Sequence, residues 1–411
     1  LAANTTASNN TALGTGALAA NTTAANNTAV GTSALAANTT GAQNTSVGQL
    51  SGASNTTGLD NAFFGRQAGY ANTTGNYNTA IGTYALLANT TADNNTAVGY
   101  HALDTNTTGS ENTALGRLAL QVNTTASDNT ALGNATLVAN TTGAQNTAVG
   151  SAALVANTTG TSNSAVGFGA LDANTTGGQN TSLGWNALGG NTTAAHNTAV
   201  GTECMKVSTT GHSNVGMGSQ ALIALTTGDS NVAIGYAALN NVTSADDNTA
   251  LGRSALQENS TGTRNTAVGY AASLLATGND NTTVGFSSGS AITSGTGNTF
   301  IGAQAGDGTD DGTGNVAVGN QALSANCGSD NVAIGQYAGA VVTGSNNTLM
   351  GQVAGYELQA GSNNLFLGKD SGRTGSPGGQ IVNGSNEIVL GDDNIGEAHV
   401  QVDWTVASDA R

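Results

Sequence analysis

A five-residue core, Asn-Thr-Ala-(Val/Leu)-Gly or a close variant, returns every seventeen residues along most of this chain. Copies open at Asn10, Asn27, Asn44, Asn61 and onward to Asn265, sixteen in strict phase. Looser copies follow at Asn281, Asn298, Asn315, Asn331, Asn347 and Asn364. A short fixed period makes stacked, nearly identical coils, each burying its apolar face only against its neighbours. Length is then no guide to domain number, because a solenoid grows by adding coils.

The coil Asn27–Gln43 shows the internal logic. Its first residues alternate as a strand does, with Thr28 and Val30 on one face and Ala29 on the other. The β-branched pairs Val232/Ile234, Val316/Val318 and Val332/Ile334 predict that the Thr28–Val30 face is buried. The Ala29 face stays small apart from Phe63, Phe300 and Phe366, and is the expected outer face, open to close approach by another chain. Gly31 and its equivalents predict a corner with positive φ or tightly stacked backbone. An Ala-Leu pair (Ala34-Leu35) gives a second apolar segment, and Asn-Thr-Thr-Gly returns the chain.

Two short segments and two turns fit in seventeen residues, whereas a helix pair needs about twice that. The expected fold is all-β: a parallel β-solenoid or β-roll, left-handed, with two asparagine ladders. One ladder contains Asn38, Asn55, Asn72 and Asn89; the other is made by the strand-leading asparagines. Each coil buries few large side chains, which predicts assembly, with a homotrimer as the expected state.

Composition narrows the function classes. Charged residues are 8% of the chain, and eight basic residues leave a net charge of −16. That excludes a phosphate-neutralising surface and so nucleic acid as a partner. No run of eighteen apolar residues predicts membrane insertion. The single proline, Pro377, and regular Val, Leu and Ile argue against disorder. Cys204 and Cys327 fall seven coils apart, roughly 34 Å at ~4.8 Å per coil, too far to bridge within a chain. Leu1 to Thr6 match Leu18 to Thr23, so the chain opens inside a repeat and reads as a piece of something longer.

The strand core followed by Ala-Leu and a Gly-bearing turn resembles the head repeats of trimeric autotransporter adhesins, best at Asn231–Gly235 and Asn331–Gly335. That resemblance, over roughly residues 1–368, implies a left-handed parallel β-roll assembled as a trimer. The end of the chain is similar to another group. Residues 369–411 read as an irregular segment, and Ser408-Asp409-Ala410-Arg411 resembles the junction before the self-cleaving intramolecular chaperone of endosialidase-type phage tail spikes and fibres. In that family cleavage falls at a Ser-Asp bond, matched by Ser408 and Asp409, and is aided by a Lys that this chain, ending at Arg411, lacks.

Candidate sites are sparse. Asp307, Asp310 and Asp311 in a Gly-rich turn are either a Ca²⁺ site or solvated acids. His101, His196, His212 and His399 have no metal-ligand spacing. The Asn-Thr-Thr triplets match glycosylation acceptors but are accounted for as turns. Trp185 is either a sugar contact or a corner-packing residue. No cofactor is implied, and no catalytic residue apart from the junction at Ser408. The sequence therefore predicts a non-enzymatic tail-fibre shaft on a virion. It would present host-attachment surfaces through the irregular turns of residues 290–400, with a cell-surface receptor, glycans among the candidates. A bacterial surface adhesin head and an ice-binding solenoid with a flat Thr array are the alternatives.

Overall fold

A computed structural model describes residues 3–395, so His399, Trp404 and the Ser408–Asp409 junction lie outside the described residues. The described chain is all-β and divides into two compact units, split between Thr261 and Gly262. The first unit holds fifteen three-residue strands, from β1 (Thr11–Leu13) to β15 (Thr249–Leu251). The second holds eight, from β16 (Thr266–Val268) to β23 (Ile388–Leu390). Within each unit every strand pairs in parallel with the next, as Thr28↔Thr45, Ala29↔Ser46 and Val30↔Val47 do. Each unit is thus a β-solenoid with one strand per coil.

Both asparagine ladders form. Asn38 Nδ2 donates to Asn21 Oδ1 one coil back at 3.0 Å and to the Gly41 carbonyl at 2.8 Å. At the head of the strand, the Asn44 backbone N–H donates to Asn27 Oδ1 at 2.9 Å, and Asn44 Nδ2 to the Gly58 carbonyl at 2.8 Å. A third column uses threonine, since Thr39 Oγ1 donates to the Thr56 carbonyl at 3.0 Å. Buried amides that satisfy each other along a line fix the register. In the second unit the ladder survives sixteen-residue coils, as where the Asn281 N–H donates to Asn265 Oδ1. It also survives a 23-residue step into β23, where the Glu387 N–H donates to Asn364 Oδ1.

Two expectations are corrected. The strand faces are reversed: Ala29 is 0% exposed, and Phe63, Phe300 and Phe366 are the largest fully buried side chains. Outside stand the Thr28 and Val30 positions, with Leu115 43% and Leu132 41% exposed. The interior of so short a coil is also filled by the Leu35 and Asn38 columns, so the Ala29 position is alanine in most coils and takes Thr283, Leu349 or Val389 in a few.

The second correction concerns the Ala-Leu pair, expected as an apolar segment between turns, which itself lies in a turn. Ala34 and Leu35 are buried as expected. Leu35 reaches the core from a left-handed backbone at φ 48°, as Leu86, Leu103 and Leu120 do nearby. That conformation costs an ordinary residue about 1–2 kcal/mol, offset here by Leu burial and by the N–H of Leu35 donating to the Ser51 carbonyl. The corner glycine behaves as expected. Gly31 has φ 133°, and a Cβ there would sit 2.5 Å from the Gly48 carbonyl oxygen of the next coil.

Candidate functional site

The ladders leave little freedom at most coil positions, so side-chain variety gathers at the corner after the strand glycine and at the residue before the strand asparagine, where Tyr77, Glu111, His196 and Arg264 stand. In the reference coil this corner comprises Thr32, Ser33, Ala36 and Ala37. At the Thr32 position the first unit carries Arg66, Tyr100, Arg117, Phe168, Trp185, Tyr236 and Arg253; the second carries Tyr270 and Phe286. The aromatics among these are exposed. Position dictates this exposure, because a residue just past a tight glycine corner leaves the coil outline while the backbone continues its ladder.

Four clusters stand out in this corner, two in each unit. In the first unit, the Arg66 guanidinium lies 5.1 Å from the Tyr84 ring centre and bonds its hydroxyl. Tyr84 and Tyr100 flank His101 at 4.8 and 4.2 Å between ring centres, and His101 Nδ1 meets Asp104 Oδ2 at 2.6 Å.

The second cluster centres on Trp185, which is 46% exposed and has Lys206 Nζ 5.8 Å from its ring centre. Lys206 also pairs with Glu203 at 2.6 Å, and the hydrogen bond it donates holds the Glu203 carboxyl below its usual range. Beside it lies a depression of about 370 Å³ lined by Asp172, Asn186, Gly189, Gly190, Lys206 and Thr209. Gly189 and Gly190 line it without side chains, and a Cβ on Gly189 would approach Asp172 Oδ1 to 3.3 Å. Partial burial pushes the Asp172 carboxyl above its usual range.

In the second unit, Tyr270 and Phe286 stack at 5.4 Å with rings 10° apart. Farther along, Gln321, Tyr337, Val353, Tyr356 and Arg373 line a hollow of about 470 Å³. Tyr337 and Tyr356 meet edge to face at 6.1 Å, and Arg373 lies 5.5 Å from the Tyr356 ring centre while pairing with Asp370. Exposed flat rings beside amides, carboxylates and paired cations can stack on a ligand and bond its hydroxyls.

Of the residues singled out in the sequence, Trp185 and His101 belong to this corner. His212 serves the backbone, its Nδ1 accepting from the Ala195 N–H at 3.0 Å. Asp310 accepts a hydrogen bond from Thr293, and burial raises the Asp307 carboxyl above its usual range. Asp307, Asp310 and Asp311 do not converge, and among the described residues no three acidic, His or Cys side chains gather as metal ligands. Cys204 and Cys327 are free and buried, with desolvation pushing the Cys204 thiol up to about 12. No described helix is long and apolar enough to cross a membrane.

As ligand contacts, the sequence points to Trp185 and to the turns of residues 290–400, which contain Tyr337, Tyr356 and Arg373. The signal that finds the rest is alignment of the coils, which places Tyr100, Phe168, Trp185, Tyr236, Tyr270 and Phe286 in one column. Comparison with protein-family models, with curated proteins and with solved structures finds no match.

Proposed function

We propose that the chain is a non-enzymatic structural component of an extracellular fibre, assembled from copies of itself, whose coil corners present an attachment surface. The observation that carries this reading is the division of labour within each coil. Asparagine, threonine and glycine ladders recur for mechanics, while most exposed aromatics and cations gather at the corner. A catalytic protein concentrates its polar groups in one enclosed site; this arrangement spreads contact residues along a surface, which suits multivalent attachment. The resemblance of the Ser408–Asp409 junction favours a phage tail fibre, whereas that of the repeats taken alone favours a bacterial adhesin. Under the tail-fibre reading the partners are two further copies and a host-surface receptor such as a glycan.

Binding of the full chain to arrays of bacterial envelope glycans and to whole cells tests the proposal. Exchanging Tyr84, Tyr100, Phe168 and Trp185 for the Ser or Thr of the regular coil should weaken retention and leave the circular dichroism unchanged. Retention equal to that of the native chain would refute the corner as the attachment surface. The sequence encoded beyond Arg411 separates phage fibre, with a chaperone domain, from adhesin, with a stalk and anchor.

Ice binding keeps one supporting observation: the outward strand face sets a Thr column beside an aliphatic column at regular spacing. Thermal hysteresis of the purified chain would support it, and none would dismiss it.

A further inference from the structure

The outward strand position of Val30 is apolar in every coil, although it faces solvent. In the first unit it reads Leu13, Val30, Val47, Phe64, Ile81, Val98, Leu115, Leu132, Val149, Val166, Leu183, Val200, Met217, Ile234 and Leu251. Side chains two residues further on vary freely between Arg, Tyr, Asn and Ser. Solvent exposure alone would have admitted polar residues here, as it does there. An exposed apolar column without interruption marks a surface that is covered.

We propose that this column is the interface between copies of this chain, which associate in parallel and in register. The inference rests on the reading of the chain as a self-assembling fibre component and specifies how the copies meet. Three observations select a second copy as the occupant. The first is shape: fifteen strands at about 4.8 Å make a strip about 67 Å long, and a partner must match that period throughout. A second copy of the column does so by construction.

The second is area. Covering a strip one three-residue strand wide, about 10 Å, removes roughly 700 Å² per copy, close to the ~800 Å² per partner of a standard stable interface.

The third is charge, and it also fixes the direction. In the first unit three arginines follow the outward strand, and each has an acid six residues earlier, just before the same strand. The pairs are Asp60 with Arg66, Glu111 with Arg117, and Asp247 with Arg253. Acid and base therefore mark opposite ends of one strand at one level. Rotation about an axis along the solenoid brings the leading end of a strand in one copy toward the trailing end in the next. Each acid then meets its arginine only if the copies run parallel at equal height. Antiparallel copies would mismatch the levels. The column itself carries no charge, so contact there buries no ion.

Light scattering on the full chain should give a multiple of the single-chain mass. Leu115→Lys with Leu132→Lys should yield a monomer with unchanged circular dichroism, since both side chains are already exposed. Arg117→Glu should weaken association at least tenfold, and adding Glu111→Arg should restore it. Ile81→Cys should cross-link to the same cysteine of another copy, the native Cys204 and Cys327 being buried. A native monomer would overturn both this inference and the assembly on which it rests. A multimer indifferent to the two lysines, to the charge exchange, or to cross-linking at Ile81→Cys would overturn this inference and leave the fibre reading standing.

Discussion

At the residue scale, the coil is decided by which side chains fit a very narrow interior. Phe63 is accommodated because the two positions it would strike, Gly52 and Gly69, replace the leucine of the regular coil. A Cβ on Gly52 or Gly69 would lie 2.7 or 2.5 Å from the Phe63 ring. Phe300 stands between Gly289 and Gly306 in the same way, and Phe366 between Gly355 and Gly372. One large residue is thus admitted by two glycines. Phe63→Ala should therefore cost about 3–5 kcal/mol. Adding Gly52→Leu and Gly69→Leu should recover most of it, because left-handed leucine is native at Leu35 and Leu86; thermal melts of the three variants check this.

Gly116 offers the opposite case, with φ 142° and a hypothetical Cβ 2.2 Å from the Gly133 oxygen. Gly116→Ala should cost at least about 1–3 kcal/mol in a denaturant melt. The pH response of Asp172 has a defined sign. Its carboxyl is raised by burial, so the folded chain holds the proton longer than the unfolded one. Stability contributed by the protonated form is present below the unfolded value near 3.8 and is lost as pH rises through the folded value. Asp172→Asn should then raise the melting temperature at pH 7 but not at pH 3.

At the element scale, a ladder is only as good as its unbroken length. Eleven asparagines run from Asn21 to Asn191, and each interior member both donates and accepts. After Asn191 the column reads Ser208, Leu225 and Val242, and both Asn191 Oδ1 and Ser208 Oγ are buried without a partner. Asn106→Leu would strand Asn89 Oδ1 on one side and one of the two Asn123 Nδ2 N–H groups on the other, at about 1–3 kcal/mol for each orphaned group. Asn191→Leu strands only Asn174 Oδ1, so it should cost about half as much; paired melts of the two variants decide.

The ladders were legible because asparagine carries both a donor and an acceptor, so a fixed period sets each amide against the next. The strand boundaries followed from the glycines. The face that points inward was not legible from hydropathy. Val30 outranks Ala29 in any burial scale, and only the interior cross-section of a seventeen-residue coil reverses the choice. The clue present in the sequence was the exchange of Phe63 against Gly52 and Gly69, visible once the coils are aligned. The corner surface stayed hidden for a different reason: its aromatics share a column but no motif.

At the scale of the whole molecule, each unit is built by translation along a line, one coil templating the next, with the outward column and the corner left for other molecules. That order makes a definite demand on distances inside the first unit. Nitroxide labels placed on Thr45 with Thr113, Thr147 or Thr198, four, six and nine coils apart, measure it by pulsed electron spin resonance in chains diluted with unlabelled protein. Stacked in-register strands predict backbone separations of about 19, 29 and 43 Å, rising linearly at about 4.8 Å per coil. Separations that fail to grow with coil number, or that grow at another rate, would contradict the stacking from which every other conclusion follows.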